Sequence, residues 1–341
     1  MTLQAATSVL ADTAQATLAG PRAMDRLEAI QSLLSDDLRW IEESLRQVCD
    51  DGPAPAVQAA QHLVSRGGKR VRPLSMLLSA ACFRPPSDVV RELAVVSELV
   101  HSATLLHDDV VDEGDERRGA MAARLVWGNA VSVLGGDLLL VHALERTARL
   151  APELMGDLIA TLRRLVDGEI VQLRGRNELD VSETTYERIL RDKTASLFAW
   201  STRTGAHLSG ASRSDQDRLS VFGERLGLAF QLVDDVLDYS GDASGKSLLT
   251  DLREGKLTLP LVLTVAKVPE LIGPLKRIYA GDREPVTLVS RAVQECGALD
   301  EVRRRATHHT HEAVRSLEAV QPSPARRVLE QVASELARRA A

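Results

Sequence analysis

Apolar residues recur at three- and four-residue spacing along almost the whole chain. Leu27, Ile30, Leu33, Leu34, Leu38, Ile41 and Leu45 form one such stripe, which predicts an amphipathic helix over Met24–Val48. The stretch DDGPAP (Asp50–Pro55) breaks it. A second helix is expected over Val57–Ser65, ending at Gly67-Gly68. A third has Pro73 in its first turn, carries Leu74, Leu77 and Leu78, and stops at FRPPS. Asp88–Val111 reads as one long helix. Further segments follow over Ala122–Ala151, Glu153–Leu173, Thr184–Leu208, Gln216–Tyr239, Leu259–Val265, Glu284–Cys296, Ala298–Leu317 and Ala325–Ala340, with SGDASGKS (Ser240–Ser247) as a loop. Sustained period-two alternation is absent, so no sheet is expected. The pattern predicts an all-α chain. Residues 1–23 form an N-terminal extension, and 24–341 form a single large helical bundle with a deep apolar cavity at its centre.

Composition narrows the function classes. With 341 residues, 44% hydrophobic and 26% charged, the chain has the balance of a globular protein with a large core. A net charge of −6 excludes a surface that is, as a whole, a nucleic-acid footprint. Cys49, Cys82 and Cys296 are too widely spaced for a metal site or a disulfide framework, which fits a reducing compartment. Each is expected to be a small buried hydrophobe. The first residues lack the basic and apolar regions of a signal peptide. The most apolar stretch, Ala130–Leu144, is too short for a membrane span and contains Asp137 and His142. A soluble, cytoplasmic protein without stable membrane insertion is expected.

The chemistry is concentrated in LLHDDVVDEGDERRG, Leu105–Gly119. In it Asp108, Asp109 and Asp112 stand at i, i+1 and i+4, so Asp108 and Asp112 lie one above the other on a helix. Hard carboxylate oxygens at that spacing suit Mg²⁺, which takes one or two carboxylates and completes its shell with water and phosphate oxygens. One such motif alone is an ordinary solvated acidic face. A second copy, Asp234, Asp235 and Asp238, also closes a long apolar helix, and the pair makes sense as two walls gripping one metal cluster. A di-iron bundle would require Glu-x-x-His pairs, and neither motif has one. Basic residues accompany both motifs. GGKRVRP offers Lys69, Arg70 and Arg72 before a helix N-terminus, where anions are favoured. Arg117 and Arg118 follow the first motif, Lys246 and Lys256 the second, and Lys193-Thr194 falls between them. Arg70 is expected to be a plain solvent-facing charge. The others together suggest phosphates bound directly and through Mg²⁺.

GGKRVRP, LLHDDVVDEGDERRG, LVDGEIVQL, KTASLF, FQLVDDVLDY and GKSLLTDLREGKLTLP, in this order, resemble the trans-isoprenyl diphosphate synthases of the polyprenyl synthetase type. The resemblance implies the class I isoprenoid synthase fold, a homodimer, and head-to-tail condensation of isopentenyl diphosphate with an allylic diphosphate, farnesyl or geranylgeranyl. It implies three Mg²⁺ per active site, held by Asp108, Asp112 and Asp234 with Asp109, Asp235 and Asp238 in support. Arg117, Lys193, Thr194, Gln231, Lys246 and Lys256 would bind the allylic diphosphate. Lys193, Thr194 and Gln231 would act in catalysis, Thr194 by stabilising the developing cation. Gly68, Lys69, Arg72, His101 and Arg118 would bind isopentenyl diphosphate. The base would be the departing diphosphate. One departure stands out: Leu249 occupies a position that is glycine in many members of the family, and puts the pose of Lys246 and Asp251 in doubt.

Product length should be set on the helix behind Asp108. Thr104 and Ala103, four and five positions earlier, are small where short-chain members often carry an aromatic floor, and Val100 lies a turn further in. The expectation is a long product of C30 to C50, with a C20 product as the alternative. A class I terpene cyclase fits less well, because such cavities are lined with cation-stabilising aromatics and aromatics make up only 3% of this chain. A non-catalytic subunit of a heteromeric synthase would have lost some of the aspartates or cations present here.

Overall fold

The computed structural model describes residues 21–48, 50–240 and 249–340, so most of the expected N-terminal extension, Cys49 and Lys246 lie outside the described residues. The described chain is helical almost throughout. α1 (Pro21–Val48), α2 (Ala56–Val64), α3 (Val71–Ala81) and α4 (Asp88–Val111) come first. A hairpin of β1 (Glu116–Arg117) and β2 (Ala120–Met121) leads to α5 (Ala123–Trp127) and α6 (Asn129–Leu150). Then follow α7 (Met155–Glu178), α8 (Glu183–Ile189), a π-helical turn (Leu190–Ala195), α9 (Ser196–Leu208) and α10 (Arg213–Ser240). The chain ends through α11 (Thr250–Arg253), α12 (Leu259–Lys267), α13 (Ile272–Tyr279), α14 (Val286–Glu295), α15 (Ala298–Ser316) and α16 (Pro324–Ala340).

The apolar period located most of these helices, and the differences have local causes. The expected segment Ala122–Ala151 is broken at Gly128, whose φ of 85° no helix accepts. The segment from Thr184 is interrupted by the π-helical turn, because one extra residue in a turn hardly disturbs the apolar spacing. α13 was not expected; Pro274 falls in its first turn, where no donor is lost. The hairpin is the exception to a sheet-free chain. Glu116 pairs with Met121 and Arg117 with Ala120, too few residues to show alternation. Its two turn residues, Arg118 (φ 53°) and Gly119 (φ 72°), both adopt positive φ, as a tight two-residue hairpin requires.

The chain folds as two compact units. The first combines the chain up to Leu158 with Ser201–Leu219 and Val320–Leu329; the second combines Ile159–Trp200, Ser220–Ala319 and the chain from Glu330. In the first, α4 is the central helix, packed against α6, α3 and α1. Ser87 caps its start by accepting from the Val90 amide at 3.4 Å. Leu93, Val96, Leu99, Val100, Ala103 and Leu106 are all fully buried, so α4 is apolar on more than one face until it reaches Asp108. In the second unit, one cluster joins Tyr186 and Leu190 to Leu228, Leu232 and Val236 of α10 and to Leu259 and Val262 of α12. Another gathers Tyr239, Leu252, Leu261, Leu275 and Val289. No described helix is long and apolar enough to cross a membrane.

Candidate active site

In the first unit the acidic motif closes α4. Asp112 is the C-cap, and its amide donates to Asp108 O at 2.8 Å, so the helical turn that stacks Asp108 on Asp112 is intact. The carboxylates therefore collect at the negative end of the helix dipole, an arrangement that calls for a cation. Asp109 is occupied otherwise. It is buried at 1% exposure and accepts from Arg117 Nε at 2.7 Å, with Arg117 Nη2 at 2.6 Å. Its carbonyl also takes the Gly114 amide at 3.0 Å. Asp109 thus anchors the loop that carries Arg117 to the side of the helix. Arg124 holds the same loop through Gly114 O (2.7 Å), Glu113 O and the Asp115 carboxylate (2.7 Å). Glu113, Asp115 and Glu116 are exposed.

The expected isopentenyl diphosphate residues come together in this same unit around one buried carboxylate, Glu98. Arg118 donates to Leu63 O at 3.0 Å and to Gly67 O, and lies 3.7 Å from Glu98. A side chain at Gly68 would meet the Arg118 guanidinium at 2.8 Å, which is why this turn needs glycine. The hairpin is pinned from α2 as well, His62 Nε2 lying 2.8 Å from Met121 O. Burial brings Arg72 down to about 10 against the pull of Glu98, with Arg118 adding to the fall. Burial likewise lowers Arg118, Glu98 opposing and Arg70 and Arg117 contributing. His101 is held well below the usual histidine range by burial and then by Arg72, Arg118, Arg117 and Arg70. Arg70, Arg72, Arg117 and Arg118 crowd this imidazole, and such a cluster of guanidiniums suits an anion. Lys69 is exposed at its edge.

Arg70 is not the solvent-facing charge its sequence context implied. It is 3% exposed. It donates to Glu42 Oε1 and Glu98 Oε1, each at 2.6 Å, and to Glu42 Oε2 and Val64 O at 3.2 Å. Burial disfavours its charge, but Glu98 and Glu42 more than offset this and hold its pKa above the ordinary arginine value. Its carboxylate partners, each 28 residues away, are invisible to any local pattern.

In the second unit the residues of the other motif are held as closely. Lys193 and Thr194 lie on the π-helical turn, not on a regular helix, and Lys193 pairs with Glu169 of α7. Two glycines let neighbouring helices meet this turn: a Cβ at Gly168 would approach Lys193 N, and one at Gly227 would approach Ala195 Cα, both at 2.8 Å. Thr194 Oγ1 donates to Gln231 Oε1 at 3.3 Å, and Gln231 Nε2 donates to Asp235 Oδ1 at 3.0 Å. Asp235 is 2% exposed. Burial pushes it up to about 7, while hydrogen bonds from Gln231, Tyr186 and the Leu259 amide pull it back. Asp238 accepts from the Thr250 amide at 3.0 Å through Oδ1, and its carbonyl takes the Leu249 amide at 3.0 Å. Leu249 has φ 60° and ψ 30°, the left-handed conformation that glycine would supply, and its side chain packs against the second core cluster. The substitution therefore keeps the turn into α11. Lys256 contacts Glu254 at 2.7 Å and Asp251 at 3.8 Å.

The donor set fits Mg²⁺. Among the described residues no three His, Cys, Asp or Glu side chains are placed to hold an ion unaided. Asp108 and Asp112, stacked on one helical turn, supply the one or two carboxylates that Mg²⁺ takes before waters and substrate phosphates complete its shell. Of the chain-length positions, Val100 and Ala103 are fully buried, while Thr104 is partly exposed and donates to His101 O at 2.8 Å. Thr104 thus shares the open side of α4 with Asp108.

An all-α chain that ends two long apolar helices in aspartate motifs, one beside a cationic pocket, has the isoprenoid synthase architecture. The polyprenyl synthetase family pattern matches residues 54–296, and the chain belongs to that family of trans-prenyltransferases. It is 34% identical over 312 residues to octaprenyl diphosphate synthase of Escherichia coli, covering 89% of this chain and 96% of that protein. Its fold matches polyprenyl synthase from Caulobacter crescentus, solved complexed with calcium and isoprenyl diphosphate, with a TM-score of 0.85 and 33% identity over 91% of this chain and 97% of that one. Decaprenyl diphosphate synthase from Rhodobacter capsulatus gives 0.84 and 33% over 92% and 99%.

Proposed function

We propose that this chain extends an allylic diphosphate, farnesyl or geranylgeranyl, with isopentenyl diphosphate to make an all-trans product of roughly C30 to C50, no aromatic standing at Val100, Ala103 or Thr104 to stop it sooner. The observation that carries the reading lies within the first unit. Arg72 and Arg118 crowd His101 beside the buried Glu98, and Asp108 follows His101 two turns later on the same helix, with Asp112 one turn beyond. Arg72, Arg118, His101 and Lys69 bind isopentenyl diphosphate beside Gly68. Arg117, Lys193, Gln231, Lys246 and Lys256 bind the allylic diphosphate. Asp108, Asp112 and Asp234 hold three Mg²⁺, and Asp109, Asp235 and Asp238 support them by fixing loops and neighbouring side chains.

In the reaction the allylic C–O bond breaks and its electron pair leaves with the diphosphate. The isopentenyl double bond then attacks the allylic carbon, and the departed diphosphate takes a proton from the new unit, which adds five carbons. Bound Mg²⁺ supplies neutralisation of the charge building on the leaving oxygens, where preorganised charge acts most strongly. The chain's own cations hold both diphosphates in register.

The length of product is tested on α4. Ala103→Phe should move the distribution to shorter chains by several units when farnesyl and isopentenyl diphosphates are incubated with Mg²⁺ and the products chromatographed. Thr104→Phe, at a partly exposed position, keeps the test informative if overpacking at Ala103 impairs folding. Unchanged products from both would sink the assignment of the wall. Inactive wild-type chain would favour a heteromeric or non-catalytic role.

A second copy of the chain is the proposed partner. α6 leaves Leu134 and Val141 58% and 48% exposed, and α7 leaves Val166 and Ile170 57% and 58% exposed, apolar surface that a second copy would cover. Sedimentation equilibrium should return twice the chain mass; a monomer at micromolar concentration would refute the pairing.

A further inference from the structure

Tyr186 belongs to neither acidic motif and to no basic cluster, yet it ends a continuous chain of hydrogen bonds that reaches Thr194. It is buried on α8. Its hydroxyl donates to Asp235 Oδ2 at 2.7 Å, and the Leu259 amide at the start of α12 donates to the same oxygen at 3.1 Å. The other oxygen, Oδ1, takes Gln231 Nε2 at 3.0 Å, and Gln231 Oε1 takes Thr194 Oγ1 at 3.3 Å. All five residues lie in the second unit.

The direction of each bond follows from the groups themselves. A carboxylate with donors on both oxygens only accepts, so the amide group of Gln231 that faces it must be the NH₂. The Gln231 carbonyl then faces Thr194 and can only accept. The single hydroxyl proton of Thr194 is therefore committed to Gln231, and its remaining lone pairs are left as acceptors.

We infer that Tyr186 is a positioning residue for allylic ionisation: together with Leu259 it fixes the Asp235 carboxylate, which orients Gln231 and so turns Thr194 into a permanent acceptor toward positive charge. The inference rests on the proposed place of Thr194 beside the developing cation. When the C–O bond breaks, the electron pair departs with the diphosphate and the allylic carbon is left electron-poor. A hydroxyl free to rotate would present its proton to that carbon part of the time. One locked by the Tyr186 chain presents lone pairs throughout, at no cost of reorganisation. A tyrosine that merely fills the core would satisfy its own hydroxyl and do nothing for Thr194.

The test is a double-mutant cycle in the full-length chain. Tyr186→Phe should lower kcat by about 10- to 100-fold, the usual loss when an outer hydrogen-bond partner is removed, and leave KM for both diphosphates and the Mg²⁺ midpoint nearly unchanged. Thr194→Val should lower kcat too, and Tyr186→Phe added to it should cost little more, because the relay no longer has an end. With Thr194→Ser, which keeps the hydroxyl, the full Tyr186→Phe loss should return. Additive losses, or a change in KM in place of kcat, would overturn the inference. If Tyr186→Phe does not fold, Gln231→Met cuts the same relay in its middle and must show the same dependence on Thr194. Wild-type chain that fails to turn over would strike the proposed reaction instead, so the two failures are distinguishable.

Discussion

Asp108→Ala is expected to lower prenyl transfer by about 10³-fold or more, because it removes a hard ligand from the place where leaving-group charge must be neutralised. Asp112→Ala should match it, since the two carboxylates stack on one helical turn at the C-terminal end of α4. In both variants the Mg²⁺ concentration for half-maximal rate should rise. Asp109→Asn should behave differently. Its carboxylate anchors Arg117, so the variant should weaken allylic diphosphate binding more than it shifts the Mg²⁺ requirement. Steady-state rates over a Mg²⁺ titration separate the two patterns. A wild-type rate and midpoint in Asp108→Ala would remove this motif from the metal site.

Arg70→Ala should destabilise the fold by about 3–5 kcal/mol, the usual cost of leaving buried charges without their partner. Glu98, at 2% exposure, and Glu42 would both lose the guanidinium that now bridges them. Glu98 would then turn more fully to Arg72 and Arg118, so KM for isopentenyl diphosphate should rise as well. Denaturant unfolding checks the first effect and initial-rate kinetics the second. Arg70→Met combined with Glu98→Gln should recover part of the lost stability, because it removes charge from both sides of the pair. A midpoint unchanged in Arg70→Ala would mean that the buried network contributes nothing net.

These two predictions stand on different kinds of legibility. The aspartates were readable because i, i+4 spacing on a helix is itself geometry: once the apolar period predicts α4 to end near Val111, Asp108 and Asp112 must stack. Arg70 was misread for the complementary reason. In GGKRVRP three basic residues look alike, and only carboxylate partners on two other helices single out Arg70 as a buried counter-ion. The hairpin escaped because two residues per strand carry no period, although Arg118-Gly119 could have suggested a tight turn. Leu249 was read as a threat to its loop; left-handed backbone and core packing show how a leucine fills a glycine's conformation there.

By itself the sequence determined the helical class, the position of nearly every long helix and the identity of the acidic and basic motifs. All of these are local: periodicity, breakers and charges a few residues apart. Only the tertiary structure decided which charges are buried counter-ions, where a π-helical turn re-aims Lys193 and Thr194, and that Tyr186 reaches Thr194 through Asp235 and Gln231. Those outcomes depend on burial and on hydrogen-bond direction between elements far apart in the chain, and a linear pattern contains neither.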